Sequence, residues 1–333
     1  MKKINTAILG VTGAVGQEFL SILEERKFPV GDLKLLASKK SAGKKIRFRG
    51  QEYKIEEARP DSFKGMDLVL SSAGGAVSRE LAPHAVKAGA LVVDNTSAFR
   101  MDPAVPLVVP EINPEDIAKH KGIIANPNCS TIIMIVPLFP LHKKARIRRI
   151  IAATYQAASG AGAKAMQELE SQSRDVLQGK KPRPEVFPHP IAFNLFSHNS
   201  PIRDGGFCEE EIKMMKETKK IFHDEKIRVI ATTIRVPVFR AHSEALFIET
   251  QKPLSVENVS AILRKAPGVR VVDNREKNYF PMPIEAAGGD DILVGRIRKD
   301  LTCKNGIALF VSGDQLRKGA ALNAIQIAEI WAH

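Results

Sequence analysis

Residues 4–16 read INTAILGVTGAVG. The apolar run of residues 4–9 passes directly into Gly10, Gly13 and Gly16, which are spaced three residues apart. The apolar run predicts a short buried β-strand, and the apolar spacing over residues 15–23 predicts a helix after the glycines. Glycines at such a junction let the backbone approach a pyrophosphate, whose charge the amides of the helix N-terminus favour. Residues 10–16 therefore predict a dinucleotide site, with a simple tight turn as the alternative.

Strand-like and helical segments alternate through the first part of the chain, and the pattern changes beyond residue 150. In the first part, strands are expected at 33–37, 66–70, 91–94 and 122–125, and a further helix at 79–88. In the second part, strands are expected at 148–154, 226–238, 245–249, 269–272, 292–298 and 306–312, and helices at 163–178 and 209–222. This pattern predicts an α/β protein, in which a Rossmann-type doubly wound parallel sheet precedes an α+β domain with a largely antiparallel sheet.

The end of the chain is expected to return to the first domain, because residues 318–331 have helical apolar spacing. The expected domains are residues 1–127 with 314–333, which would bind the nucleotide, and residues 128–313, which would carry catalysis. Two domains suit a chain of 333 residues, since a single core of this size is uncommon.

Composition narrows the class of protein. The 50 Lys and Arg residues outnumber the 37 Asp and Glu residues, and the net charge of +13 favours anionic ligands, nucleic acid or an anionic membrane surface. The cysteines, Cys129, Cys208 and Cys303, are too far apart for a disulfide framework or a CxxC metal site, so we expect a reducing cytoplasm and no metal. The longest apolar run, residues 132–141, is too short to span a bilayer, which argues against a membrane protein.

A basic and hydroxyl-bearing segment, Ser38-Lys39-Lys40-Ser41, follows the second expected strand. Folds of this class that prefer NAD usually carry an acidic residue here, where it binds the ribose hydroxyls. Cations and hydroxyls in its place favour the 2′-phosphate of NADP. The alternative interpretation is a solvated basic turn.

Cys129 lies within residues 126–131 (NPNCST), between an expected strand and an apolar run. Asn and Ser are helix-capping residues, so Cys129 is expected at or just before a helix N-terminus. The helix dipole and free amides there stabilise a thiolate, as a nucleophilic cysteine requires. The alternative is a small buried apolar side chain, which is our interpretation of Cys208 and Cys303.

A nicotinamide cofactor and an activated cysteine together predict one kind of chemistry. A thiolate adds to an aldehyde, a hydride leaves to the nicotinamide, and a thioester remains on the cysteine. Such an enzyme also needs a proton-transfer group, a group that holds the tetrahedral intermediate, and anchors for the charges of the substrate.

Seven motifs, taken in chain order, resemble a single family. They are GVTGAVG from residue 10, DNTSAFRM from 94, NPNCSTI from 126, TYQAASGAG from 154, EEIKMMKETKKI from 210, RVPVFRAHSE from 235 and VSGDQLRKGAA from 311. The set is similar to aspartate-β-semialdehyde dehydrogenase of the bacterial type and extends over essentially the whole chain. The resemblance implies a cytoplasmic homodimer that reduces L-aspartyl-β-phosphate with NADPH to L-aspartate-β-semialdehyde and phosphate, in lysine, threonine and methionine biosynthesis.

The resemblance implies a role for each of three catalytic residues. Cys129 is the nucleophile that carries the thioester. Gln156 orients the substrate and the tetrahedral intermediate, because an amide donates a hydrogen bond without acting as a base. His242 is the acid/base, since histidine titrates near neutrality. By residue type alone, Gln156 would be a surface amide and His242 a structural histidine.

The resemblance also implies ligands for the substrate. Arg235 binds the α-carboxylate through its forked guanidinium, and Glu210 pairs with the ammonium, with Glu211 as a competing assignment. The implied phosphoryl ligands are Lys213, Arg100 and Asn128. From spacing alone, Glu210 and Lys213 would form an ordinary helical salt bridge. Arg235 and His242 lie an odd seven residues apart in one strand-like region, so a turn or bulge must bring them to the same face.

The implied cofactor contacts come from four segments. In the glycine loop and first helical turn they are Gly10, Thr12, Gly13, Ala14, Val15 and Gly16, and at the 2′-phosphate they are Ser38, Lys40 and Ser41. Later motifs contribute Ser159, Gly160 and Gln315. This chain departs from many relatives, which carry arginine at the position of Lys40, and from some that carry glutamine at the position of Ala73.

Other interpretations stay open on the sequence. N-acetyl-γ-glutamyl-phosphate reductase and acyl-CoA reductases share the scaffold, but the former typically has an NPGCY-type motif and binds a blocked amine. A catalytically inactive NADP-binding sensor would leave Cys129 unreactive. A nucleic-acid-binding protein would use the basic runs 143–149 and 180–183, which contain no aromatic residue to stack on bases. We therefore expect small-molecule partners and no nucleic acid.

Overall fold

The computed structural model describes residues 2–197 and 200–333. In chain order the elements are β1 (Ile4–Leu9), α1 (Ala14–Glu25), β2 (Val30–Ala37), β3 (Lys45–Phe48), β4 (Gln51–Glu57), β5 (Leu68–Ser71), α2 (Gly75–Lys87), β6 (Leu91–Asp94), β7 (Ile123–Ala125), α3 (Cys129–Ala145), β8 (Ile147–Gln156), α4 (Ala163–Leu177), α5 (Glu209–Phe222), β9 (Arg228–Arg235), β10 (His242–Thr250), α6 (Val256–Leu263), β11 (Val269–Val271), α7 (Pro283–Ala286), β12 (Ile292–Asp300), β13 (Gly306–Gly313) and α8 (Leu322–Ala332). Among them, no helix is long and apolar enough to cross a membrane.

Two compact units divide the chain, which passes into the second unit after Asn128 and leaves it after Gly319. The first unit contains, within the described residues, a seven-stranded sheet in the order β3-β4-β2-β1-β5-β6-β7. All neighbouring strands are parallel except the edge pair of β3 and β4. The apolar run of β1 lies at its centre because both faces of a doubly wound sheet are covered.

The apolar faces of α1 and α8 share one buried core in the first unit. Phe19 and Leu23 of α1 and Leu322 and Ile325 of α8 belong to the same cluster. The helical spacing read from the sequence at both ends of the chain therefore marks core-facing residues. β3 and β4 were not predicted, because they are short and their few apolar residues stand among charged, exposed ones.

The second unit has a six-stranded sheet over its described residues, in the order β11-β12-β13-β10-β8-β9. Three of its pairings are antiparallel, and the pairs β11–β12 and β8–β9 are parallel. The expected largely antiparallel sheet is thereby confirmed. Helix α6 was not predicted, and the expected strand 226–238 is confined to β9, which begins and ends two or more residues inside it.

The odd spacing of Arg235 and His242 has a simple explanation in this topology. Arg235 is the last residue of β9 and His242 the first of β10, and these strands pair with opposite edges of β8. Residues 236–241 carry the chain across the end of β8, so the parity rule for one strand does not apply. The interpretation of a single strand region was wrong, whereas the expected turn is present.

Candidate active site

Cys129 is the first residue of α3, which confirms the prediction of a cysteine at a helix N-terminus. It is partly buried, and the free amides of this helix end stabilise negative charge on its sulfur. Gly319 packs against it so closely that a Cβ at this glycine would lie 3.1 Å from Cys129 Cβ. The backbone around Gly319 therefore fixes the position of the thiol.

Arg235 supplies a second positive group for this thiol. Burial lowers the pKa of Arg235, while the negative charges of Glu210 and Cys129 act in the opposite direction. The guanidinium donates from Nη1 to the backbone oxygen of Ala157. Arg235 is therefore a buried cation that interacts electrostatically with Cys129 and Glu210.

Gln156 ends β8 and is 1% exposed, so it is not a surface amide. Its Nε2 donates to Ser130 Oγ at 2.6 Å and to Glu210 Oε1 at 3.3 Å. Ser130 follows Cys129 directly, so the amide is tied to the turn that carries the thiol. Ser130 was not predicted as a site residue, because only its position beside Cys129 distinguishes it in the sequence.

His242 is fully buried, and its Nδ1 accepts a hydrogen bond from the Ala157 backbone N–H at 3.0 Å. Burial, and then the positive charge of Arg235, hold the pKa of His242 well below its usual range. The neutral ring therefore carries its proton on Nε2. Nε2 has no hydrogen-bond partner among the described residues.

Gly160 packs directly against His242 and Arg235. A Cβ built on Gly160 would lie 2.9 Å from His242 Cε1, 3.0 Å from its Nε2 and 3.2 Å from Arg235 Nη1. Glycine fits this position because a side chain would press on the imidazole and the guanidinium. The resemblance implies that Gly160 contacts the cofactor, and these distances also place it beside the imidazole of His242.

Replacing Gly160 with alanine is expected to lower kcat/KM by about tenfold or more without unfolding the protein. The added methyl group would displace the His242 ring and the Arg235 guanidinium, and reacting groups must be held within about 0.5 Å of their productive positions. Steady-state kinetics and the thermal unfolding midpoint of Gly160→Ala measure the two parts separately. A wild-type kcat/KM in the folded variant would show that the close fit of Gly160 against His242 does not matter for activity.

Ser159 and Gln315 hold the turn that leads into His242. Gln315 donates from Nε2 to Ser159 Oγ, and its Oε1 accepts from the Ala241 N–H at 2.9 Å. Ala241 has a φ of 72°, a left-handed conformation that is strained for a residue with a side chain. These bonds fix the entry into β10 and hence the aim of the imidazole.

The first turn of α5 contains the two glutamates that competed for the ammonium. Glu211 is committed to the fold, since its carboxylate accepts the backbone N–H groups of Cys208 and Thr233, both at 2.9 Å. Glu210 instead faces Gln156, and its Oε2 lies 3.9 Å from Lys213 Nζ. Glu210 is therefore the better candidate, although the salt bridge expected from spacing is also present.

Two predicted phosphoryl ligands belong to the first unit. Arg100 is buried, and it donates from Nε to the backbone oxygen of Asn126 at 2.9 Å and from Nη2 to that of Asn95 at 2.8 Å. These carbonyls hold the guanidinium in one orientation beyond the carboxyl end of β6. Asn128, also buried, ends the segment that Arg100 contacts.

A cavity of about 600 Å³ opens at the carboxyl ends of β1, β2 and β5 in the first unit. Its lining includes Gly10, Thr12, Gly13, Ser38, Lys39, Arg59, Ser72 and Ala73. Gly10 has a φ of 90°, and a Cβ there would come within 2.8 Å of the Ala73 nitrogen, so the loop needs glycine. Ser72 Oγ is buried without a partner in the described chain. The cavity therefore suits a dinucleotide.

The cations at this cavity differ from those expected. Lys39 and Arg59 line it, whereas Lys40 and Ser41 lie in the exposed turn that follows Ser38 and do not. Arg59 was missed because it follows β4, a strand that was not predicted, and it pairs with Glu57 at 2.6 Å. Ala14, Val15 and Gly16, from the first turn of α1, also lie outside the lining.

Family models match both parts of the chain: the semialdehyde dehydrogenase NAD-binding domain over residues 5–120 and the semialdehyde dehydrogenase dimerisation domain over residues 138–318. Aspartate-semialdehyde dehydrogenase of Synechocystis sp. is 58% identical over 98% of this chain and 97% of its own length. The chain belongs to the aspartate-semialdehyde dehydrogenase family. The same-named protein of Aquifex aeolicus is 53% identical over 97% of this chain and 96% of its own length.

Solved structures of the family agree with the fold. Aspartate semialdehyde dehydrogenase II from Vibrio cholerae, complexed with ASA, has a TM-score of 0.97 and 44% identity over 100% of this chain and 99% of that one. The Candida albicans enzyme with NADP has a TM-score of 0.77 and 28% identity, over 99% of this chain and 98% of that one. The resemblance seen in the motifs and the two-domain α/β fold are confirmed, and the chain is an enzyme of this family.

Proposed function

We propose that the protein reduces L-aspartyl-β-phosphate with NADPH to L-aspartate-β-semialdehyde and phosphate through a thioester on Cys129. One observation carries this proposal: a cysteine at the N-terminus of α3 lies in the same unit as a tethered amide, a neutral imidazole and a buried arginine. These groups are Gln156, His242 and Arg235. Because the thiol must stay reduced, we place the reaction in the cytoplasm.

The substrate is anchored at each of its three charged groups. Arg235, which donates to the Ala157 carbonyl, binds the α-carboxylate through its forked guanidinium. Glu210 binds the ammonium. A substrate with a blocked amine would give Glu210 no cation to bind. Lys213, three residues along α5, offers its cation to the phosphoryl group. Arg100 and Asn128 stay proposed phosphoryl ligands on the resemblance.

Acyl transfer begins with attack of the Cys129 thiolate on the acyl carbon. The C–O bond to phosphate breaks, phosphate leaves and takes a proton from solvent, and a thioester remains. Gln156 donates to the oxygen of the tetrahedral intermediate, which gains charge as the C–S bond forms. The α3 N-terminus and Arg235 provide the thiolate without a base.

When bound, NADPH supplies the hydride that reduces the thioester. The proton on His242 Nε2 then forms a hydrogen bond to the oxygen that gains charge at the former acyl carbon. Collapse of this intermediate breaks the C–S bond, releases the aldehyde and restores the thiolate. A neutral imidazole that donates in this way resembles the electrophilic histidines of other enzymes.

The 2′-phosphate of NADP is the group that we assign to Arg59 and Lys39. Arg59→Gln is expected to raise the KM for NADP by about tenfold or more, because a charge-assisted hydrogen bond is lost, and to leave the KM for NAD unchanged. Initial rates with each cofactor measure this effect. Lys40→Gln is the matched control, since Lys40 does not line the cavity. A larger effect at Lys40 would support the assignment from the resemblance instead.

The reaction is tested in the oxidative direction by following reduced nicotinamide while the enzyme converts L-aspartate-β-semialdehyde with NADP and inorganic phosphate. We expect strong activity that depends on phosphate. Activity confined to the N-acetylglutamate semialdehyde would instead indicate the N-acetyl-γ-glutamyl-phosphate reductase reaction. Tight NADPH binding without turnover of either aldehyde would favour a sensor.

A homodimer is the proposed assembly, through the face of the second sheet that lies away from α3. Ile230 of β9 pairs in register with Ile151 of β8, and Ile230 and Tyr155 expose about two fifths of their surface, at 42% and 38%. Apolar side chains aligned on a sheet face are typical of an interface. Sedimentation velocity at micromolar concentration checks this, and a monomer would contradict it.

A further inference from the structure

Glu244 is a buried carboxyl group that the proposed mechanism does not use. It lies two residues after His242 on β10, so both side chains point to the same face of the sheet. It is fully buried, and neither carboxyl oxygen has a hydrogen-bond partner among the described residues. Its cross-strand neighbours are Thr154 and Val311, neither of which carries a charge.

The nearest explanation for an unpartnered acid lies in α5. The negative charge of Glu210, together with burial, raises the pKa of Glu244 well above its usual range. Glu244 is also beside the strand that carries Gln156, because Thr154, its partner in register, precedes Gln156 by two residues on the same face of β8. Glu210 accepts a hydrogen bond from Gln156, so both carboxyl groups lie toward the end of β8 that carries Gln156.

Elements that pack on this side of the sheet carry further charged or titratable groups. Within the described residues these include Cys129 and His142 from α3, Glu211, Lys213 and Glu217 from α5, Arg235 from β9 and His242 from β10. Backbone amides hold Glu211, the Ala157 carbonyl accepts from Arg235, and Lys213 Nζ lies 3.9 Å from Glu210 Oε2. Glu210 is the charged group that raises the pKa of Glu244.

We propose that Glu244 is a positioning residue of the ammonium subsite, a second acid behind Glu210 that restricts the enzyme to substrates with a free cationic amine. This inference rests on the proposed function. Without substrate, Glu244 holds a proton because two adjacent carboxylates repel each other. The arriving ammonium adds one positive charge, so Glu244 releases its proton to solvent and the pair binds the cation.

The exchange of the Glu244 proton for the substrate ammonium predicts the direction in which KM changes with pH. An amine-bearing substrate competes with one proton, so its KM falls as the pH rises toward and through the pKa of Glu244. A substrate without an amine brings no charge and shows no such dependence. A Glu244→Gln variant has no carboxyl proton to release. The KM for the amine-bearing substrate is therefore expected to lose this dependence on pH and to behave like that of the substrate without an amine.

The test compares wild-type enzyme with Glu244→Gln on L-aspartate-β-semialdehyde and on succinate semialdehyde, which lacks the amine. We expect the KM for the amine-bearing substrate to rise about tenfold, because one of the two negative charges proposed to bind the cation is lost, while its kcat and the KM for succinate semialdehyde stay unchanged. Glu249→Gln is the matched control, because Glu249 lies on the opposite face of β10. Glu244→Leu, which suits an apolar site, repeats the test if the glutamine variant does not fold.

Three outcomes would contradict the proposed role of Glu244. An unchanged ratio of the two KM values in a folded variant would overturn the role of Glu244. An equal rise for both substrates would also overturn it, since it indicates a purely structural role. If the wild-type enzyme shows no phosphate-dependent turnover of L-aspartate-β-semialdehyde, the proposed function itself fails, and the inference fails with it.

Discussion

Cys129→Ala is expected to reduce turnover by about 10⁴-fold or more while leaving NADPH binding intact, because the residue carries the covalent intermediate and alanine offers no nucleophile. The cavity that we assign to the nucleotide belongs to the first unit and contains no residue of α3. Phosphate-dependent kcat and fluorescence titration with NADPH measure the two properties on one preparation. The small size of alanine suits a partly buried position, so the variant should fold.

Cys303 provides the matched control for this experiment. Burial and the charge of Asp300 raise the pKa of the Cys303 thiol, which keeps it protonated. Iodoacetamide should therefore label Cys129 first in the wild-type enzyme, and Cys303→Ala should keep full activity. Labelling that begins at Cys303, or turnover that survives in Cys129→Ala, would remove the thioester from the mechanism.

The fold was predictable wherever burial enforces a period on the sequence. The apolar run of β1 and the spacing of Phe19 and Leu23 in α1 name core residues directly, since a central strand and the core-facing side of a helix are buried. β3 and β4 are short strands in which only Ile46, Phe48, Tyr53 and Ile55 are apolar, and charged residues between them obscure the alternation. Arg59, which follows β4, was therefore missed as well.

The motifs named the candidate catalytic side chains, but they did not show the contacts between them. Cys129 could be placed at a helix start because capping residues surround it. The hydrogen bond from the Gln156 amide to Ser130 joins residues 26 positions apart, and a single sequence does not show such a contact. The role of Glu211 as a cap became evident only through its backbone donors. Glu244 lies outside the expected strands, and its burial became evident only in the structure.

His242→Ala is expected to lower kcat by about 10²- to 10⁴-fold, because the variant loses the Nε2 proton that we place at the oxygen that gains charge in the reduction step. The Ala157 N–H fixes Nδ1 as an acceptor and leaves the proton on Nε2. The low pKa of His242 keeps the ring neutral at pH 7, so activity that depends on the neutral ring should fall only well below pH 6.5. Steady-state rates from pH 5 to 9 measure both effects.

A comparison of His242→Ala with His242→Gln separates two roles for this ring. If His242 donates from Nε2 and never removes the thiol proton, a glutamine amide can replace part of its function, and Gln should retain more activity than Ala. If the ring is instead the base that generates the thiolate, both variants lose it equally. His189→Gln is the control, because His189 is exposed and packs on Phe196. If both variants lose activity equally and the rate no longer falls at acidic pH, His242 is instead the base that removes the thiol proton.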